Sequence, residues 1–268
     1  MLIWVSALHC EAKPVIDFYR LKKSHDDNAF DLYRGDNMAC IISGPGKVAS
    51  SAACAWIAAR YEDEASIAWI NLGTAGAAQH DLGTLFSLHQ IIDADDGQRY
   101  YPAPAIKGEL EGSACMTLSK PSEDYREDCL FDMEASGFMY ACLRFSSAEL
   151  IKSFKIVSDN RRESTGKNRQ AVSDLVHRHI DLIDQQANAL NTLNAEMAGL
   201  SPVLEHWLQL TTMAHFSQTQ KNRLRVLWRY LMNRGFDAET LLQQLGGQTP
   251  GVILAHLEQH SYRDSEGL

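Results

Sequence analysis

The sequence has no long apolar run and no excess of basic side chains. No apolar segment approaches the ~20 residues that a transmembrane helix needs, and the first residues lack the basic region and long apolar core of a secretion signal. The 25 basic residues are outnumbered by 34 acidic ones, which gives a formal charge of −9. Phosphate binding needs a basic surface. We therefore expect a cytoplasmic protein of 268 residues that neither enters a membrane nor binds nucleic acid.

The cysteines also form no recognisable site. No CxxC pair and no metal-ligand spacing occurs among Cys10, Cys40, Cys54, Cys115, Cys129 and Cys142. We expect reduced, mostly buried thiols, no metal and no cofactor. With 22% charged and 9% aromatic residues, the composition is that of a folded chain rather than a disordered one.

Short β-branched segments alternate with helical stretches up to Asp159, a pattern typical of an α/β layer fold. We predict strands at 2–8, 38–43, 66–72, 84–92 and 151–157, and helices at 48–59 and 134–144. The strand at 66–72 is expected to end at a turn formed by residues 73–76, Gly-Thr-Ala-Gly. The turn at 44–47 is predicted to be structural, with Lys47 as a surface charge.

The pattern of polar and apolar residues changes after Asp159. A polar loop is followed by one long predicted helix from Val172 to about Leu193, and only helices are predicted beyond Glu196. We therefore expect an α/β domain over 1–195 and an all-helical C-terminal extension over 196–268. Within the extension, segment 221–234 is basic and amphipathic. It is predicted to be a bundle helix with a solvated basic face; binding to a membrane surface or an acidic partner is the alternative.

Three acids follow strands or begin helices in this prediction: Glu11, Glu134 and Asp159. The ligand crevice of an open α/β sheet lies at the carboxyl ends of its strands, so all three can face one pocket. Three carboxylates there suit cleavage at the anomeric carbon of a sugar. One activates water, one binds the sugar hydroxyls and one protonates the leaving group. The alternative is that they are solvated turn acids or helix caps.

Five short segments, in this order, resemble the nucleoside phosphorylase and nucleosidase superfamily, which includes methylthioadenosine/S-adenosylhomocysteine nucleosidase. They are ALHCE at 7–11, SGPGKV at 43–48, INLGTAG at 70–76, DMEA at 132–135 and VSD at 157–159. The resemblance covers roughly residues 1–195. It implies a three-layer α/β fold with a central mixed sheet flanked by helices, a small-molecule nucleoside as ligand, and a homo-oligomer.

The resemblance also implies roles for the acids. Glu11 corresponds to the acid that activates water. Glu134 corresponds to the residue that binds the ribose hydroxyls, with Met133 packing beside the sugar. Asp159 corresponds to the acid that protonates the departing purine, a role that requires it to hold or share a proton at neutral pH.

Four further residues are expected near the pocket. Gly73 and Thr74 match the loop that touches the ribose and the attacking water or phosphate, and Ser158 adjoins Asp159. Asn71 stands where many phosphorylases of the superfamily have arginine and the nucleosidases have asparagine, which favours hydrolysis. The resemblance therefore implies a nucleosidase that acts on a purine nucleoside or a 5′-thio-purine nucleoside.

Two alternative functions stay open at this point. Arg161 and Arg162 can supply a phosphate site, so a phosphate-dependent nucleoside phosphorylase is one alternative. The other is a nucleoside-binding sensor that has lost turnover.

The recognised base is undefined, because segment 115–123 does not match the purine-reading loop of the superfamily. Tyr100, Tyr101 and Phe131 are the aromatic candidates for stacking on the base.

Overall fold

A computed structural model describes residues 1–25, 29–61, 66–104, 110–121, 128–165, 168–199, 206–233 and 235–263. The chain divides into two units, Met1–Ala195 and Glu196–Leu268. Across the described ranges, no helix is both long enough and apolar enough to cross a membrane.

Strands and helices alternate in the first unit. The strands are β1 (Leu2–Ser6), β2 (Lys22–Lys23), β3 (Asp31–Arg34), β4 (Met38–Ile42), β5 (Ala68–Ala77), β6 (Leu85–Asp93), β7 (Arg99–Tyr100), β8 (Glu111–Thr117), β9 (Leu130–Asp132) and β10 (Ile151–Asn160). The helices are α1 (His9–Phe18), α2 (Lys47–Arg60), α3 (Ala135–Cys142), α4 (Arg169–His177) and α5 (Ile180–Gly199), with a 3₁₀ turn at Ala148–Leu150.

All of these strands belong to one mixed sheet with β5 at its centre. Strand β5 pairs in parallel with β1 and β10 and antiparallel with the short β9. Beyond β1 the sheet continues through β4 and β3 to β2. On the other side, β5, β10, β6, β8 and β9 close into a ring of paired strands. The C-terminal half of β5 therefore lies where the open part of the sheet meets the ring.

Helices cover both faces of the sheet. Successive side chains of a strand point to opposite faces. Ile3 and Val5 of β1 lie in the hydrophobic core that includes α2 and α3. Trp4, on the other face, contacts Tyr19 at the end of α1, with ring centroids 6.0 Å apart. This arrangement confirms the predicted α/β layer fold with a central mixed sheet.

Helices α2 and α3 approach each other closely at Gly137. A Cβ at this residue would lie 2.0 Å from the carbonyl oxygen of Lys47, which no side chain tolerates. Ser51 Oγ donates a hydrogen bond of 2.8 Å to the Gly137 carbonyl across the same contact. Glycine at 137 thus fixes the beginning of α3 against the beginning of α2.

Two strands run on past their predicted ends. Strand β5 runs on through residues 73–76, since Gly76 and Ala77 pair with Phe131 and Leu130 of β9. Strand β10 likewise continues through Ser158 and Asp159 to its end at Asn160. The prediction ended both strands too early, because polar residues and glycine indicate a turn only when no partner strand is available.

The long helix predicted from Val172 is two helices. Helix α4 ends at His177 and α5 begins at Ile180. At the break, the His179 ring nitrogen Nε2 lies 2.6 Å from the carbonyl oxygen of Gly83. Both helices bury apolar residues, so helical spacing of those residues does not reveal the interruption.

The second unit has helices only, within its described residues. They are α6 (Trp207–Thr212), α7 (Gln218–Asn233), α8 (Ala238–Leu245) and α9 (Pro250–Arg263). Leu224, Trp228 and Leu231 of α7 are fully buried in a core that also contains residues of α8 and α9. The predicted inward packing of the apolar side of this helix is thereby confirmed, and its solvated basic face stays a prediction; Arg234, at the end of the predicted segment, lies outside the described residues.

Candidate active site

A cavity of about 220 Å³ lies at the carboxyl ends of β5, β9 and β10, beside the start of α1. Six of the predicted site residues line it together: Glu11, Thr74, Met133, Glu134, Ser158 and Asp159. They come from four separate parts of the chain. The fold therefore brings the three candidate carboxylates to one pocket.

Glu11 lies in the first turn of α1 and is only 3% exposed. Its Oε1 accepts hydrogen bonds from the backbone nitrogen of Thr74 at 2.7 Å and from Thr74 Oγ1 at 2.8 Å. Its Oε2 accepts one from the backbone nitrogen of Leu8 at 3.0 Å. A carboxylate offers about four lone-pair positions. Within the described part of the chain, one position on Oε2 therefore stays open for a further donor.

Glu134 is the N-cap residue of α3 and is also buried. Its Oε1 accepts a hydrogen bond of 2.7 Å from the backbone nitrogen of Gly46, at the start of α2. Its Oε2 has no hydrogen-bond partner among the described residues. Burial raises the pKa of this carboxyl, and the nearby cation of Lys155 opposes the shift.

Asp159 owes its position to a β-bulge. The register between β10 and β5 shifts between Val157 and Asp159, so that Ser158 is an extra residue on β10. Bulges change the direction in which the following side chain points. Ser158 Oγ donates a hydrogen bond of 2.8 Å to Asp159 Oδ1, and both residues line the cavity.

A buried ion pair next to these acids was not predicted. Lys155 Nζ lies 2.8 Å from Asp132 Oδ2, and the two side chains are 1% and 0% exposed. Burial alone would lower the pKa of Lys155, but the carboxylates of Asp132 and Glu134 outweigh it and raise this pKa. Lys155 is therefore a permanent cation at the site. The available signal was a lysine inside the otherwise apolar strand sequence FKIV at 154–157.

Asp132 holds this ion pair in place. Its Oδ1 accepts a hydrogen bond of 2.7 Å from Thr117 Oγ1, and its Oδ2 accepts one of 2.8 Å from the backbone nitrogen of Ala135. The second bond satisfies a free amide at the beginning of α3. One carboxylate thus links β8, α3 and the buried lysine.

Two predicted site residues do not line the cavity, as far as the chain is described. A Cβ at Gly73 would lie 3.2 Å from Glu11 Oε1 and 3.3 Å from Lys155 Nζ, so Gly73 leaves room for both charged groups. Asn71 is buried; its Nδ2 donates to the Val5 carbonyl at 3.1 Å and its Oδ1 accepts from Ser153 Oγ at 3.0 Å. Asn71 therefore ties β1, β5 and β10 together.

Leu118, Lys120, Pro121 and Phe131 complete a wall of the cavity. Of the three aromatic candidates for base stacking, only Phe131 is among the described lining residues. Glu123, in the segment that failed to match, lies outside the described residues.

Lys47 is not the surface charge that was predicted. Its Nζ lies 2.6 Å from both Asp93 Oδ1 and Asp95 Oδ2, and its side chain is 20% exposed. Burial lowers its pKa, but the hydrogen bonds to the two carboxylates outweigh this and raise it. Ser119 donates to Asp95, so Lys47 connects the start of α2 to the wall segment that contains Leu118.

The arginines of the predicted phosphate loop lie elsewhere. Arg161 and Arg162 are exposed, and neither is among the described residues that line the cavity. The described residues also contain no group of three His, Cys, Asp or Glu side chains placed to hold a metal ion.

No protein-family model and no curated protein matches the sequence. Solved structures do match. The apo form of 5′-methylthioadenosine nucleosidase from Arabidopsis thaliana is 16% identical, with a TM-score of 0.57 over 71% of this chain and 95% of that one. The 5′-methylthioadenosine/S-adenosylhomocysteine nucleosidase of S. pneumoniae, solved with a transition-state inhibitor, is 16% identical, with a TM-score of 0.56 over 71% and 100%. Futalosine hydrolase of Helicobacter pylori is 9% identical, with a TM-score of 0.57 over 70% and 97%.

Proposed function

Since the chain has the fold of these nucleosidases, as the resemblance implied, we propose that it is an N-ribosyl hydrolase. Its substrate would be a purine nucleoside or a 5′-thio-purine nucleoside, cleaved at the glycosidic bond. One observation carries the proposal: Glu11, Glu134 and Asp159 line a single cavity at the carboxyl ends of the central strands. At this level of identity the fold alone does not define the reaction, so the proposal depends on the site.

Glu11 is the proposed general base. Three hydrogen bonds fix its carboxylate, and the open lone pair on Oε2 can accept a proton from a water molecule. The water oxygen then bonds to the anomeric carbon as the carbon–nitrogen bond breaks. Lys155 Nζ and Glu11 Oε1 both lie close to Gly73. The positive charge of Lys155 reduces the repulsion among these buried acids.

Glu134 is the proposed ribose ligand, through Oε2, for which no described residue is a hydrogen-bond partner, with Met133 beside the sugar. Breaking the glycosidic bond leaves positive charge on the ribose. Preorganised carboxylates around that charge stabilise the transition state more than the ground state, which is what lowers the barrier.

Asp159 is the proposed acid. The electron pair of the broken bond goes to the purine, and a proton from Asp159 neutralises it at a ring nitrogen. The proton removed from water remains on Glu11 until the products leave. The hydrogen bond from Ser158 Oγ orients the Asp159 carboxyl for this transfer.

Phosphorolysis is less well supported than hydrolysis. The described cavity lining contains four carboxylates, Glu11, Asp132, Glu134 and Asp159, and one cation, Lys120. Of these acids, Asp132 is paired with Lys155 and Asp159 is the proposed proton donor. Glu11 and Glu134 are the carboxylates that repel a phosphate dianion, whereas a neutral water molecule is not repelled.

The test is release of free base from a panel of purine nucleosides and 5′-thionucleosides, with and without phosphate. Release without phosphate is expected. Strict dependence on phosphate would instead establish a phosphorylase, and binding without release would establish a sensor. Asp159→Asn and Glu11→Gln should each lower kcat by about 100-fold or more, whereas Asp181→Asn, an exposed acid on α5, should leave it unchanged.

We also propose a homo-oligomer, as the resemblance implies. Exposed apolar side chains on α2, on α3 and at the C-cap of α3 support it: Val48 is 78% exposed, Tyr140 52% and Leu143 41%. Light scattering after size-exclusion chromatography should give a mass of at least twice 29.9 kDa. A monomer at micromolar concentration would refute this.

A further inference from the structure

A second cavity, of about 300 Å³, lies between the first turns of α1 and α4. Leu8 lines both this cavity and the candidate active site. The backbone nitrogen of Leu8 is hydrogen-bonded to Glu11 Oε2, the proposed base. A ligand bound beside Glu11 therefore needs to extend only past one residue to enter the second cavity.

The two cavities differ in charge. The candidate active site is lined by four acids, of which Asp132 is paired with Lys155 and Asp159 is the proposed proton donor, which leaves Glu11 and Glu134 as its negative charges. The second cavity is lined by His9, Lys13 and Arg169 and by no acid among the described residues. An anionic group on a substrate is repelled by the first lining and attracted by the second. A negatively charged group of a substrate is therefore favoured at the Leu8 side of the candidate active site.

Arg169 supplies the uncompensated cation. Lys13 is paired with Asp17, but no carboxylate of the described chain pairs with Arg169, which is exposed. Two of the free amides at the start of α4 are already occupied, because Asn168 Oδ1 accepts hydrogen bonds of 3.1 Å from the backbone nitrogens of Gln170 and Ala171. An anion in this cavity is therefore bound by side chains. A guanidinium binds a carboxylate or a phosphate with two parallel hydrogen bonds.

The ribose itself indicates which substituent reaches this cavity. In the proposed function, the anomeric carbon carries the base and the 2′ and 3′ hydroxyls bind Glu134. Only the 5′ carbon is left to point past Leu8. We propose that the cavity between α1 and α4 is a subsite for an anionic group, a carboxylate or a phosphate, on the 5′ side of the nucleoside, with Arg169 as its main ligand. This inference rests on the proposed nucleosidase function and narrows its substrate.

The experiment compares matched nucleosides that differ only at the 5′ position: a phosphate, a carboxylate, and a neutral methylthio group or hydroxyl. Adenine and hypoxanthine series are both used, because the base is undefined. For the anionic members we expect kcat/KM about tenfold above the neutral ones, the size of effect that a charge-assisted bidentate contact gives. Arg169→Gln should reduce this ratio to about one without changing kcat/KM for the neutral members. The control Arg178→Gln, an exposed arginine at the other end of α4, should keep the ratio.

Three outcomes overturn the proposal. The ratio is near one in the wild type, or Arg169→Gln leaves a high ratio intact, or free phosphate accelerates cleavage of the neutral nucleosides and this acceleration is lost in Arg169→Gln. The last result would identify a site for a separate anion. If no nucleoside releases base, the nucleosidase function fails. The subsite is then judged by calorimetric binding of the same compounds: a preference for anionic members that Arg169→Gln removes supports it, and equal or no binding overturns it.

Discussion

Replacing Lys155 with methionine tests whether the buried ion pair stabilises the first unit. The substitution keeps most of the side-chain volume and removes the charge, so that Asp132 Oδ2 loses a partner at 2.8 Å. The Asp132 side chain is 0% exposed and cannot recover this interaction from solvent. The variant therefore leaves the negative charge of Asp132 in the interior without the cation that paired with it.

The expected loss of stability depends on the hydrogen bonds that Asp132 retains in the variant. Removing one partner of a buried ion pair costs about 3–5 kcal/mol. Asp132 still accepts hydrogen bonds from Thr117 Oγ1 and from the backbone nitrogens of Glu134 and Ala135, which places the cost near the lower limit, about 3 kcal/mol. In a unit that spans Met1–Ala195, each kcal/mol shifts Tm by about 2–4 °C. The expected loss is about 6–12 °C.

The assay is urea and thermal unfolding of wild type, Lys155→Met, Asp132→Asn and the double variant. Asparagine keeps an acceptor for the α3 amides, so the double variant should regain about 2 kcal/mol relative to Lys155→Met. Lys152→Met is the matched control, since Lys152 is equally buried in the same strand and donates to the Pro104 carbonyl rather than to an acid. A Lys155→Met protein as stable as wild type, or one that Asp132→Asn does not rescue, would show that this ion pair does not stabilise the first unit.

Three further predictions concern the same unit. Burial lowers the pKa of Lys152 to about 8 from 10.5. Between pH 7.5 and 10 the folded state therefore binds fewer protons than the unfolded state. Measured by urea unfolding, the wild type should gain stability relative to Lys152→Met as the pH rises through this range. Gly137→Ala should cost about 3 kcal/mol or more, because the new Cβ meets the Lys47 carbonyl. Gly251→Ala, in α9 of the second unit, meets nothing within 4 Å and is the thermal-unfolding control. Gly73→Ala should lower kcat about tenfold by displacing Glu11 and Lys155; an unchanged kcat would show that the room left by this glycine is unimportant.

Local sequence patterns predicted the first elements of the sheet well. Strands β1 and β4 and helix α2 lie within two residues of the predicted bounds, because each is a buried β-branched run or an alanine-rich run bounded by polar residues or glycine. The same patterns placed Glu11, Glu134 and Asp159 at strand ends and helix starts, and the resemblance supplied their roles. Those roles remain proposals.

What the sequence could not indicate depends on pairing between distant segments. Residues 73–76 are strand because β9 and β10 lie on either side of them, and neither neighbour is encoded near residue 73. The ion pair joins Asp132 and Lys155, which belong to strands that do not pair with each other. Lys47 is a half-buried contact for the same reason: its partners Asp93, at the end of β6, and Asp95, just after it, lie far along the chain.

The hydrogen bond from the Thr74 backbone nitrogen to Glu11 Oε1, at 2.7 Å, gives this site a built-in spectroscopic probe. The shielding of an amide proton depends on the charge of its acceptor. The ¹⁵N–¹H resonance of Thr74 should therefore move when Glu11 gains a proton or a ligand, whereas amides bonded within the sheet should not. One backbone signal can thus follow the proposed base through a reaction cycle without any substitution in the site.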